Sequence, residues 1–166
     1  MLNTDYDNNT DQLQVDSNQY INFTLDEQEF GVNVLDSREI ITASELTTIP
    51  ESPDFVKGVI NLRDEIIPII NLSQRFSLGD EIKQDESKVI IISVNNTLIG
   101  LGVNKVNEII RINSNNISTA PEITKGVKKD YIEGIARLKD KLLILLDIEN
   151  IFSQKEINKL QNMESN

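Results

Sequence analysis

The sequence predicts a mainly β protein: two small five-stranded barrels packed as one domain, with a short C-terminal helix. Three observations predict this. From Tyr20 onward, apolar and polar residues alternate with a period of two, as they do in strands half-buried on one face. The alternating runs come in pairs separated by turn residues such as Asp26–Glu29 and Asn95-Asn96, the mark of β-hairpins. The phrase GVINLRDEIIPIINL at 58–72 also returns as GIARLKDKLLILLDI at 134–148.

The repeat extends beyond that phrase. Gly31, Val34 and Glu39-Ile40-Ile41 match Gly100, Val103 and Glu108-Ile109-Ile110 at an offset of 69 residues. Gly58, Leu62, Asp64 and Phe76 match Gly134, Leu138, Asp140 and Phe152 at an offset of 76. One seven-residue insertion in the second half accounts for the change. Each half holds about five strands. Closing so small a sheet removes its exposed edges, and a single such barrel has too little core to stand alone. The first barrel is placed at roughly 19–87 and the second at roughly 88–152.

The elements follow in order. Residues 1–18 are polar, acidic and aperiodic, and read as a disordered tail. Asp5, Asp7, Asn9, Asp11 and Asp16 have EF-hand-like spacing, but Thr10 stands where the calcium loop needs glycine and no amphipathic helix flanks the stretch. A hairpin covers 20–34. Short β-rich pieces follow at 38–43 and 46–50. Ser52-Pro53 is suited to open one helical turn. Two apolar strands, 58–62 and 66–72, join through Arg63-Asp64-Glu65, and Pro68 argues for an edge or a bulge in the second. A charged connector spans 77–87. The second half runs through a hairpin at 88–110, a polar β-poor loop at 111–130 and a closing hairpin. Ser153 and Glu156 have capping-box spacing, and Ile157 and Leu160 form one apolar stripe, so the end (153–166) reads as a short helix.

Composition narrows the chemistry. The chain has 166 residues, 39% hydrophobic, with no cysteine, no histidine and a net charge of −11. Thiolate metal sites, disulfides and Cys nucleophiles are excluded, and the commonest general base and metal ligand is missing. Lys and Arg do not cluster, so neither a nucleic-acid backbone nor an anionic bilayer is an expected partner. No run approaches the roughly 20 apolar residues of a membrane span, and the N-terminus has no signal-peptide pattern. A cytoplasmic protein with no cofactor and no metal is expected. The pair Asp64 and Asp140 could be read as catalytic carboxylates, but they occupy equivalent turns of the repeat, and turn chemistry explains them better.

The segments FTL-x(4)-FGVNV (23–34), EII (39–41), IPESPDFVKGVINLR (49–63) and PIINL (68–72) resemble the CheW family of bacterial chemotaxis coupling proteins. The resemblance is dense from Phe23 to Phe76 and weaker to about Phe152. It implies two SH3-like barrels and a non-enzymatic scaffold that couples chemoreceptor signalling tips to the regulatory domain of the histidine kinase CheA, in arrays recruited to the membrane. A similar scaffold for a surface-motility or developmental kinase system is the alternative.

The resemblance also implies sites. Arg63 matches the family position most associated with receptor coupling, Glu39 a second, and Asn61 and Gly58 belong to the same motif. Ser37 is a further receptor-side candidate, and Ile60 and Val103 are candidates for the kinase side or a groove. An Arg at a hairpin tip offers a planar fork of donors for carboxylates or carbonyls. Read from the residues alone, Arg63 is equally a solvated turn residue, Glu39 a strand-end charge or an internal partner for Arg38 or Arg63, and Gly58 a site of close backbone approach or a bulge. Two positions depart from the family pattern: Asp64, where the family has glycine, and Asn71-Leu72-Ser73, where it reads Asp-Leu-Arg.

Overall fold

The computed structural model describes residues 17–42, 46–78, 88–124 and 126–164. The first half supplies β1 (Ser17–Leu25), β2 (Gln28–Asn33), β3 (Ser37–Thr42), β4 (Val56–Leu62) and β5 (Glu65–Asn71). The second supplies β6 (Lys88–Val94), β7 (Thr97–Val103), β8 (Lys105–Asn113), then the two-residue strands β9 (Ile117–Ser118), β10 (Ile123–Thr124) and β11 (Val127–Lys128), and finally β12 (Ile132–Leu138) and β13 (Lys141–Leu146). Helix α1 is a single turn, Leu72–Arg75, and α2 spans Gln154–Glu164.

The hairpins form where the turn residues direct. Asp26-Glu27, Arg63-Asp64 and Asn95-Asn96 each make a two-residue loop with both φ values positive, the backbone that matches strand twist. The capping box at α2 is complete: Ser153 N–H donates to Glu156 Oε1 (2.8 Å) and Glu156 N–H to Ser153 Oγ (3.1 Å). Pro53 opens the single turn expected there, closed by Val56 N–H donating to Pro53 O (2.9 Å). Two expectations are corrected. The loop at 111–130 carries three short strands. β1 begins at Ser17 because β8 offers a ladder to Asn113. The EF-hand-like spacing and most of the charged connector lie outside the described residues.

The larger correction concerns the halves. One sheet has the order β8-β1-β2-β13-β12-β9 and the other β3-β6-β7-β5-β4. Each therefore contains the leading hairpin of one half and the last three main strands of the other. The halves exchange hairpins, so a boundary near residue 88 does not separate two barrels. Nor are the sheets closed: among the described residues no ladder joins β3 to β4, or β8 to β12. Register shifts at Ser37/Glu39, Asn22/Phe23, Val56/Gly58 and Ile132/Gly134 mark bulges, which bend strands and raise their twist.

Three cores result. The largest lies between the sheets and joins Phe23, Phe30 and Val32 of one to Ile70, Ile92 and Leu101 of the other. On its far side each sheet wraps a smaller core: Tyr20, Leu143 and Leu145 in one, Ile60, Ile67, Ile69, Val89 and Ile91 in the other. The matched glycines face these small cores. A Cβ at Gly31 would lie 2.9 Å from Leu145 Cδ2, and one at Gly100 would lie 2.4 Å from Ile69 Cδ1. The repeat thus keeps glycine where coiled sheets leave no room for a methyl group.

The halves meet at a pseudo-two-fold axis. Phe76 packs on Tyr131 (5.5 Å between centroids) and its counterpart Phe152 on Phe55 (5.7 Å). Arg75 sits on that axis. Its Nε and Nη2 donate to Ile151 O (3.0 and 2.7 Å), at the matching position 76 residues on, and Nη2 also pairs with Glu156 Oε1 (2.9 Å). Its guanidinium lies 5.1 Å from the Phe55 ring, 5.3 Å from Tyr131 and 5.7 Å from Phe152. A site on the axis has room for one such cation, and the second half has isoleucine there.

A candidate interaction surface at the β4–β5 hairpin

Hairpin β4–β5 is fixed from below. Gly58 is buried, and a Cβ there would meet Thr47 O at 2.9 Å. Its absence admits the bridge in which Thr47 and Val59 exchange N–H···O bonds of 2.9 Å. Those bonds turn the polar groups of Val59 away from Pro68, its cross-strand partner. Pro68 then has no N–H to supply to β4, and the parallel ladder with β7 begins only at Ile69. β5 is therefore an interior strand that tolerates proline because position 68 needs no donor. At the tip, Asn61 Oδ1 accepts the Asp64 N–H (3.1 Å).

The expected residues divide into two groups. Arg63, Glu39 and Asn61 converge at this tip. Arg63 Nη2 is ion-paired with Glu39 Oε1, although β3 and β4 are opposite edges of their sheet. The coiled sheet brings its edges within reach of one side-chain pair. The Arg63 side chain remains 71% exposed and that of Glu39 31%, so the pair contributes about 0–1 kcal/mol to folding. Ser37 is committed locally, its hydroxyl donating to Val34 O (2.8 Å). Ile60 is buried at 8% exposure in the smaller core of its sheet. Val103 is 0% exposed within the inter-sheet core. Val103 cannot anchor a partner, and Ile60 supports the hairpin from inside. Asn71 is buried and caps α1 by accepting from Gln74 N–H (3.2 Å), and Ser73 beside it is also buried.

Among the described residues Leu35, Ile40, Ile109 and Leu142 are large apolar side chains left exposed, and two of them occupy matching positions of the repeat. Ile40 (40% exposed) and Ile109 (57%) stand on edge strands β3 and β8, paired with Ile90 and Ile21. Those partners belong to the inter-sheet core, so both isoleucines lie on its face but beyond its cover. The repeated Glu-Ile-Ile carried the signal, since the same strand position is left bare twice. The equivalent of Arg63–Glu39 in the second half would be Lys139–Glu108, and no such pair forms among the described residues. Lys141 instead pairs with Glu29 (2.8 Å), whose carboxyl also accepts from Asn22 (2.8 Å). The hydrogen bond from Lys141 is the main cause holding Glu29 below its ordinary carboxylate value.

A different electrostatic situation surrounds Glu133. Its carboxyl is raised by burial first and then by Asp147 and Asp36, although the residue as a whole reaches solvent. Asp36 is raised by burial, Glu149 and Asp147. Tyr20, donating to Glu133 Oε1 at 3.5 Å, is pushed up to about 12 by burial and then by Glu133. A carboxyl raised in the folded state stabilises most below its ordinary range and loses that contribution as pH rises through the raised value. Glu133→Gln is therefore expected to raise the melting temperature at pH 7 by about 1–3 °C. Circular dichroism melts should show the gain disappear at pH 4.

Among the described residues no helix is long and apolar enough to cross a membrane. A family model described as the CheW-like domain matches residues 19–156. The chain is 32% identical over 149 residues to the chemotaxis protein CheW of Treponema pallidum, covering 87% of this chain and 88% of that one. It is 32% identical over 145 residues to that of Klebsiella aerogenes, covering 87% of each. The crystal structure of the scaffolding protein TtCheW from Thermoanaerobacter tengcongensis superposes with a TM-score of 0.77 at 34% identity, over 84% of this chain and 90% of that one. Sequence, exchanged-hairpin fold and coverage agree: the chain belongs to the CheW-like domain family.

Proposed function

We propose that this protein is a non-enzymatic adaptor of the chemotaxis machinery, joining a chemoreceptor's cytoplasmic tip to the regulatory domain of the histidine kinase CheA in the cytoplasm beneath the membrane. The observation that carries the reading is the exposed, rigidly turned Arg63 tip within a chain of the CheW-like family. Relatives bear the name chemotaxis protein CheW, and a solved neighbour is titled a scaffolding protein.

In this reading Arg63 contacts the receptor with the donors that Glu39 leaves free. Glu39 aims its guanidinium, Asn61 and Gly58 hold the hairpin, and Ser37 fixes the turn that leads into β3. Ile40 and Ile109 supply the apolar contacts that a few anchors need to dominate an interface. No cofactor takes part.

The test is bridging. Titration calorimetry of the purified protein is expected to give micromolar binding to the kinase regulatory domain and, separately, to a receptor tip fragment. Sedimentation should show all three in one complex. A folded protein that binds neither would sink the proposal, and one that binds each only in the absence of the other would make it a competitor rather than an adaptor.

A further inference from the structure

Away from the β4–β5 tip, a cleft of about 550 Å³ opens between α2 and the loop that leads into β4. Ile49, Pro50 and Pro53 line the loop side and Met163 the helix side, where it also packs against the inter-sheet core. Methionine adapts to irregular apolar partners. Lys159 stands on the helix side and Glu51 on the loop side. Beyond the cleft, α2 continues as a basic face. Its exposed residues over 154–163 are Gln154, Lys155, Asn158, Lys159 and Asn162, which include two cations and no acid. Lys155 and Lys159 are four residues apart and share one side of the helix. Neither is in an ion pair among the described residues, and Glu156 between them is turned to Arg75. In a chain of net charge −11 this is a local reversal of sign, whereas Lys128-Lys129 and Lys139 adjoin Asp130 and Asp140. An apolar cleft continued by two unpaired lysines is complementary to an acidic segment that carries bulky apolar residues.

Residues 1–16 have that chemistry. They include Asp5, Asp7, Asp11 and Asp16, no lysine or arginine, and the apolar Leu2, Tyr6, Leu13 and Val15. They join the fold at Ser17, where β1 begins. We propose that this segment binds in cis along α2, with carboxylates at Lys155 and Lys159 and an apolar side chain in the cleft. Its reach is sufficient: 16 residues span up to about 50 Å when extended, more than the roughly 40 Å across a folded chain of this size. The tether supplies it at an effective concentration on the order of millimolar, so a weak contact is enough to fill the cleft. Occupied in this way, α2 is covered against other acidic partners. The contact does not depend on the adaptor reading.

The chain has no cysteine, so Asn8→Cys in the full chain gives a single thiol for a nitroxide label. Ser17 and its ladder partner Asn113 lie beside the tether and are broadened in any case. Away from them, nuclear magnetic resonance spectra at about 0.05 M salt are expected to show the strongest broadening at the amides of 154–163 and of Ile49, Glu51 and Ser52, and its loss at about 0.5 M salt, where exposed charges are screened. Lys155→Gln combined with Lys159→Gln removes both charges, keeps the buried Ile157 and Leu160 and suits a helix. The pair should reduce the broadening at α2 about threefold and leave the circular dichroism spectrum unchanged. Broadening centred elsewhere, or equally strong in the double variant, would overturn the proposal. Equal broadening of an isotope-labelled chain by a separate, nitroxide-bearing chain mixed with it would also overturn it, because the occupant would then be a second copy.

Discussion

Arg75→Ala is expected to lower stability by about 3 kcal/mol. The arginine is 18% exposed and spans two halves that have already exchanged hairpins. Its removal takes away a fork onto Ile151 O, an ion pair with Glu156, and the cation beside three aromatic rings. Charged hydrogen bonds contribute about 1.5–3 kcal/mol, and a desolvated cation over a ring up to about 2. The terms are not additive, and about 3 kcal/mol is the sum after overlap. Ile151 O then loses its donor. In a chain of this length the melting temperature should fall by about 6–12 °C. Arg75→Lys keeps the charge but loses the planar fork, and should recover less than half of the loss. A drop of under about 2 °C for Arg75→Ala in a calorimetric melt would show that the aromatic packing alone holds the halves together.

The contrast between Arg75 and the hairpins shows what the sequence could reveal. Asn95-Asn96 betrays its turn because positive φ selects residue types locally, while Asp26-Glu27 and Arg63-Asp64 betray theirs as short charged breaks between apolar strand runs. Ser153 and Glu156 betray α2 because a capping box is read within four residues. The exchange of hairpins has no such signature. The two halves carry the same alternation, and a strand's pattern states that it pairs without naming its partner. β6 could equally lie beside β8, its own half's strand, or beside β3, which it in fact joins. Arg75 was illegible for the same reason, since its partners are 76 and 81 residues away.

The candidate surface is legible in part. Arg63, Glu39 and Asn61 lie on short local motifs, and the structure gathers them at one tip. Val103 failed because β7 is buried along nearly its whole length between two cores. Period two then reports which residues share a face, but not which face is bare. Ile40 and Ile109 carry the alternation of ordinary strand residues. Only the sheet order reveals that β3 and β8 are edges.

Reversing Arg63 should remove most binding to the receptor tip, and a second substitution distinguishes the reasons. Arg63→Glu places a fourth carboxylate beside Glu39, Asp64 and Glu65 and deletes the only donor fork of the tip. Truncation of a central arginine anchor costs about 2 kcal/mol or more, so affinity for the tip should fall at least about thirtyfold. Affinity for the kinase domain should not change. The variant also breaks the contact between the sheet edges, and a loosened hairpin could by itself weaken binding. Adding Glu39→Arg restores an ion pair across the same gap with its polarity exchanged. If Arg63 contacts the receptor directly, the double variant regains the small stability of the pair, within about 1 kcal/mol, and still fails to bind the tip. If the pair serves only to hold the hairpin, the double variant binds as the unaltered protein does. We expect the first outcome. The hairpin is already pinned by Asn61 at its tip and by the Thr47–Val59 bridge along β4, and an arginine 71% exposed leaves most of its surface to a partner.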